Sequence, residues 1–348
     1  MKTYKHNTTF KLELGDELPY LEVAYHTYGK LNKDKSNVIW VCHALTANSD
    51  VFDWWSGLFG ENDYFNPNEH FIVCANILSS CYGSTSPLQT TKSKQYHKFP
   101  IITIRDMVKA HQLLRKHLGI EKINTIVGGS MGGQQALEWN VQEPDAFENL
   151  IIMATNAKHS PWGIAFNESQ RMAIETDATW QLSTSKAGMQ GMKAARSMAL
   201  ISYRTYFAYS KTQHEIDNNK VDDYNAASYQ KYQGEKLAKR FNAFSYYRLS
   251  QAMDSHNLGR NRESIEVALQ QITASTLAIG ISSDGLFPPA EQRYIAKNVQ
   301  NGRFVEIDSF YGHDGFLVET EKLTEVIRNF FEQKIGKTKT GNLIELRA

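Results

Sequence analysis

Short runs of apolar residues alternate along this chain with longer segments whose apolar positions recur at helical spacing. The strand-like runs are 37–44 (NVIWVCHA), 70–78 (HFIVCANIL), 123–129 (INTIVGG), 149–155 (NLIIMAT), 276–282 (TLAIGIS) and 303–309 (RFVEIDS). Most are apolar at nearly every position, the pattern of strands covered on both faces. Between them, residues 104–120 (IRDMVKAHQLLRKHLGI) place Met107, Leu113, Leu114 and Leu118 near helical spacing. Such alternation predicts an α/β fold with a mostly parallel sheet flanked by helices. An earlier run, 21–29 (LEVAYHTYG), alternates polar and apolar positions and predicts an antiparallel strand.

The alternation stops between about 158 and 262. That region is polar and tyrosine-rich, with helical patterns at 185–209 and 222–254 and no convincing strand. Ser160-Pro161 predicts a helix start, since serine can cap and proline suits the first helical position. The chain therefore divides into an α/β core, 1–157 and 263–348, and a helical lid insertion, 158–262. The tail KTKTGNLIELRA is expected to be a loose terminus or a contact arm.

Composition narrows the class. With 348 residues, 41% of them hydrophobic, the chain can bury a large core. A net charge of +1 gives no field to draw it to nucleic acid or an anionic membrane. The N-terminus lacks the apolar stretch of a signal peptide, and no apolar run reaches the length of a membrane span. Cys42, Cys74 and Cys81 form no C-x-x-C pair, so neither zinc nor a disulfide framework is suggested. These features predict a soluble, reduced, cytoplasmic protein with no metal and no bound cofactor.

The strongest chemical signal is Asn124 to Trp139, NTIVGGSMGGQQALEW, where a predicted strand meets a predicted helix. Gly128-Gly129-Ser130-Met131-Gly132 fits G-x-S-x-G. A nucleophile at such a corner sits on a strained backbone, and only small neighbours let the turn pack. The pattern alone arises by chance with a probability of roughly 0.1 in a chain of this length. A solvated serine in a glycine-rich turn is one alternative. A phosphate-binding turn is another, weakened by the missing lysine.

A serine nucleophile needs a base, and the base needs an orienting carboxylate, in the order Ser, Asp or Glu, His. Asp284 follows one predicted strand in a Gly/Pro turn, and His313 follows the next in a glycine-flanked turn. Ligand-facing residues of open α/β sheets sit at such strand ends. Asp308 competes with Asp284 but lies at the end of the strand that precedes His313. His43 competes with His313 but precedes the serine. Backbone N–H groups of Met131 and Leu45 are the expected oxyanion donors, Leu45 lying in the loop that follows an early strand.

The segments HALTANSD, CANILSSCYGSTSP, FPIITIRDMV, GGSMGGQQALEW, DGLFPP and GHDGFL together resemble the signature segments of the homoserine O-acyltransferases, chiefly their homoserine O-acetyltransferase branch. The resemblance extends through the lid segments and covers about residues 8 to 333. It implies an α/β-hydrolase fold with an inserted helical lid. It implies ping-pong transfer of an acyl group, acetyl in the main branch, from acyl-coenzyme A to the side-chain hydroxyl of L-homoserine, an early step towards methionine. Coenzyme A would be a substrate carrier. In that reading Ser130 is acylated, His313 acts as base and acid, and Asp284 orients it. Arg196 matches the arginine that holds the amino-acid substrate, and Asp314 matches the residue that meets its amino group.

These roles suit the chemistry, because homoserine carries a carboxylate and an ammonium, and arginine grips carboxylates bidentately. Tyr203 lies seven residues after Arg196, hence on the same helix face. Arg171 and Arg204 are reserve candidates. The resemblance also implies a homodimer formed through the lid helices. Departures occur around the expected acyl site: Ala47-Asn48 follow Thr46, and serines replace common glycines in NILSSCYGSTSP. They leave open a succinyl donor or a serine acceptor, used by some relatives. Cys81 nearby is expected to be an inert thiol. A carboxylic-ester hydrolase and a non-catalytic binding protein of the same fold remain the alternatives.

Overall fold

The computed structural model describes residues 1–339. Its centre is an eight-stranded sheet of β1 (Lys2–His6), β2 (Leu21–Tyr28), β3 (Val38–Cys42), β4 (Phe71–Ala75), β5 (Ile123–Gly129), β6 (Phe147–Met153), β7 (Ser275–Ile281) and β8 (Gly302–Ile307). The strand order is β1-β2-β4-β3-β5-β6-β7-β8. Pairing is antiparallel for β1 with β2 and β2 with β4, and parallel from β4 to β8. Strand β3 shows why the central runs are apolar throughout. Val38, Trp40 and Cys42 enter one core layer, while Ile39 and Val41 enter the other. The two-residue period of a strand sends successive side chains to opposite faces, and both faces here are covered.

Helices α1 (Ile104–His117) and α2 (Met131–Gln142) pack on the sheet. Thr103 and Asp106 form a reciprocal capping box that starts α1. Between β6 and β7 no strand occurs among the described residues. Helices α3 (Pro161–Glu175), α4 (Met189–Tyr203), α5 (Tyr206–Thr212), α6 (Asn225–Ala238) and α7 (Ala243–Asp254) occupy most of this interval. Ser160 caps α3 as expected, accepting a hydrogen bond from the Gly163 N–H. After β7 come α8 (Pro289–Asn298), β8 and the terminal helix α9 (Thr320–Lys339).

Several elements differ from the sequence reading. Strand β1, KTYKH, was not expected, because an edge strand needs no apolar run. Strand β6 begins at Phe147 and ends at Met153, since Ala154 already turns with φ +47. The two long helical patterns are each broken: Thr205 caps α5 through the Ala208 N–H, and Asn242 caps α7 through the Ser245 N–H. Lys337 to Lys339, expected to begin a loose tail, continue α9; residues 340–348 lie outside the described residues.

Candidate active site

Ser130 stands alone between β5 and α2, with φ 55 and ψ −126. A positive φ is strained for a residue with a Cβ and persists only where the surroundings impose it. Here they do. The Ser130 N–H bonds the Met153 carbonyl at 3.0 Å, and the Thr155 hydroxyl bonds the Ser130 carbonyl at 2.7 Å. The flanking glycines answer to close approach. A Cβ on Gly132 would strike the Cys42 carbonyl of β3, and one on Gly128 would strike the Gly132 backbone.

The three residues read from strand ends converge. His313 Nε2 lies 2.9 Å from Ser130 Oγ, and His313 Nδ1 lies 2.7 Å from Asp284 Oδ2. Asp284 Oδ1 accepts from the N–H groups of Leu286 (2.8 Å) and Phe287 (2.9 Å), which fixes the carboxylate. All three are buried. Aromatic rings pack around the imidazole: Phe287 stacks on it at 5.0 Å, and Phe316 (5.3 Å) and Tyr203 (5.6 Å) lie tilted to it, between centroids. The competitors lie elsewhere. Asp308 accepts from Ser282 Oγ on the surface. His43 is fully buried at the start of the loop that follows β3.

That loop is tied down residue by residue. His43 Nδ1 donates to the Ala44 carbonyl (2.8 Å), and His43 Nε2 accepts from the Ile77 N–H (3.2 Å). Both bonds suit the neutral ring, and burial lowers the His43 pKa to about 4. Gln135 Nε2 donates to the His43 carbonyl (3.1 Å), and Arg240 Nη1 donates to the Thr46 carbonyl (2.6 Å). With the carbonyls turned away, the Leu45 N–H finds no acceptor among the described residues, and neither does the Met131 N–H at the start of α2. Two such free donors beside Ser130 are what an anionic oxygen requires.

Ser130 and His313 open into a cavity of about 500 Å³ that Leu45, Arg196, Tyr203 and Asp314 also line. Arg196 lies 5.6 Å above the Tyr203 ring on α4 and makes no ion pair among the described residues. Asp314 is not free: Arg204 Nε bonds its Oδ2 at 3.0 Å. Arg204 itself does not line this cavity, unlike Arg196. Nor does the other reserve candidate, Arg171, which is buried within the lid against Asp254 (2.6 Å) and Glu168 (2.5 Å). Lys236 and Arg240, which sequence reasoning missed, line the same cavity. Their only signal was membership of the polar lid pattern, shared with many solvated residues. Cys81 is partly buried, with its thiol 3.5 Å from the Arg240 carbonyl and its pKa raised by burial to about 11. Among the described residues no group of three His, Cys, Asp or Glu side chains could hold a metal ion.

A parallel sheet in this order, with serine after β5, aspartate after β7 and histidine after β8, defines the α/β-hydrolase class. The α/β hydrolase fold family model matches residues 37–320. Over 93% of its length the chain is 49% identical to a homoserine O-acetyltransferase of Cyclobacterium marinum, of which it covers 93%. The chain belongs to the homoserine O-acetyltransferase family. Among solved structures, a homoserine O-acetyltransferase from Staphylococcus aureus matches with TM-score 0.78 and 26% identity, covering all of this chain and 96% of that one. Esterase E22 matches with TM-score 0.86 and 22% identity, covering 94% of this chain and 98% of that one. The latter likeness is one of fold.

Proposed function

We propose that this protein transfers an acetyl group from acetyl-CoA to the hydroxyl of L-homoserine, through an acetyl-Ser130 intermediate, at an early step towards methionine. The observation that carries the reading is the Ser130–His313–Asp284 relay opening onto a cavity with a free guanidinium, Arg196, and a carboxylate, Asp314. Ser130 Oγ attacks the thioester carbonyl as His313 Nε2 takes its proton. The developing oxyanion is met by the Leu45 and Met131 N–H groups. The C–S bond breaks, and the coenzyme A thiolate leaves with the proton from His313. The homoserine hydroxyl then attacks the ester, again losing its proton to Nε2, and Ser130 regains a proton as O-acetylhomoserine departs. Arg196 holds the substrate carboxylate. Asp314 meets the ammonium with the carboxylate edge that Arg204 leaves free. Tyr203 keeps Arg196 and the imidazole in register.

A relay of this kind also serves hydrolases, so the acceptor decides the assignment. The test offers acetyl-CoA and succinyl-CoA with homoserine and serine in competition, and weighs products and protein. We expect O-acetylhomoserine as the main product, coenzyme A release that depends on homoserine, and an acetyl adduct absent from Ser130→Ala. Rapid release without acceptor would make the protein a hydrolase, and a protein that gains no covalent mass would be a binding protein. We further propose a cytoplasmic homodimer joined through the lid. Ile201, Tyr206, Phe207, Ile216 and Val221 of the lid are exposed, a concentration of apolar side chains that supports this. Light scattering at micromolar concentration should give twice the chain mass.

A further inference from the structure

A second cavity, of about 160 Å³, lies away from the relay, where the core segment Tyr96-His97 meets the lid. It shares no lining residue with the cavity at Ser130. Arg248 of α7, partly buried, lines the second cavity. Arg248 Nη1 bonds Gln251 Oε1 at 2.8 Å, and Nη2 bonds the His97 carbonyl at 3.0 Å. Both partners are neutral, and Arg248 makes no ion pair among the described residues. The Tyr247 phenol and the His97 ring line the cavity beside it, and burial and the Glu175 carboxylate raise the Tyr247 pKa to about 12. A partly desolvated cation whose partners are all neutral, beside an open cavity, favours a counterion there.

We propose that this cavity is a binding site for a small organic carboxylate. The planar guanidinium matches a carboxylate, and one negative charge balances one positive charge. The walls favour an apolar stem. His97 packs edge-on against Trp180 (4.5 Å) and Phe244 (5.0 Å), and Trp180 stacks on Phe244 (4.8 Å). These contacts assemble the walls before any ligand arrives. A cavity of this size accepts a guest about as large as a benzene ring. Tyr96, which also lines the cavity, carries a φ of +57, a strained backbone. Because the walls come from both core and lid, an occupant fastens the lid to the core at a point remote from Ser130.

The experiment titrates the full-length protein with benzoate, butyrate and acetate by calorimetry and thermal melting, with chloride and inorganic phosphate at matched ionic strength. We expect saturable binding of benzoate or butyrate and a Tm that rises and then levels. R248Q should bind at least about tenfold more weakly, as loss of charge-assisted bonds implies, and should transfer acetyl groups as the parent does in the absence of carboxylate. Q251E places a carboxylate inside the cavity, and should melt higher than the parent and bind nothing. R196M should still bind, which separates this cavity from the one at Ser130. No saturable binding by the parent protein overturns the proposal. So does binding lost in R196M but kept in R248Q, or phosphate binding more tightly than every carboxylate.

Discussion

Replacing Asp284 by asparagine isolates what the carboxylate does for the imidazole. Asp284 Oδ1 receives two backbone N–H groups, from Leu286 and Phe287, and Oδ2 receives His313 Nδ1. In Asp284→Asn the single amide oxygen must stay with the two N–H donors, because turning it away leaves both buried and unpaired. That would cost about 1–3 kcal/mol for each donor. The amide NH₂ then faces His313 Nδ1, which must become an acceptor. The imidazole proton moves to Nε2, the atom that lies 2.9 Å from Ser130 Oγ and should accept its proton. The base is thus present in the wrong tautomer. A loss of about 10⁴ in kcat is expected for this defect, equivalent to about 5.5 kcal/mol of transition-state stabilisation. Stability should change little, because the backbone bonds and the side-chain volume remain. The assay is steady-state acetyl transfer to homoserine, with intact-mass detection of the acetyl-enzyme and a melting curve. A variant that melts like the parent and retains more than a tenth of its kcat would refute the reasoning.

Three further outcomes follow from the same geometry. Arg196→Met should raise the KM for homoserine about 10- to 100-fold with kcat nearly kept, since a charge-assisted pair is lost from binding; an unchanged KM would move the carboxylate site elsewhere. Arg240→Ala frees the Thr46 carbonyl beside the Leu45 donor and should lower kcat about tenfold at near-constant KM; full kcat in a folded variant would show that the loop holds itself. Burial lowers the pKa of His43, His111 and His159 to about 4 and that of His256 to about 3. Between these values and the ordinary 6.5 the unfolded chain binds the extra protons, so stability rises with pH there. It is fully present above about 6.5 and is lost as pH falls towards 4, by up to a few kcal/mol per pH unit. Urea midpoints that stay level from pH 7 to pH 4.5 would contradict this.

Much of the core was legible because its strands are buried on both faces. The run INTIVGG coincides with β5, and LEVAYHTY with the antiparallel β2. Edge strand β1 was not legible, since its residues are polar and its partner, β2, lies some twenty residues away in the chain. Ser130, Asp284 and His313 could be read because glycine and proline mark the turns at strand ends, where the sheet topology gathers them. Arg204 and Asp314 illustrate the opposite case. Each invited a role in holding substrate, and their mutual ion pair joins positions 110 residues apart. No local pattern signals such a partnership, because charge pairing depends on distance in space and is indifferent to distance along the chain.

The sequence by itself determined the class of fold, the corner that presents Ser130 and the identity of its two partners. These rest on local rules: apolar runs that must be buried, a turn that tolerates only glycine beside it, and turn residues at strand ends. The tertiary structure alone decided which cations are free. It left Arg196 open, paired Arg171 and Arg204, brought Arg240 to Thr46 across 194 residues and bonded Arg248 to neutral partners alone. The reason is physical: a long charged side chain has no preferred neighbour in the sequence, and its pairing is settled only once packing has fixed what stands within reach.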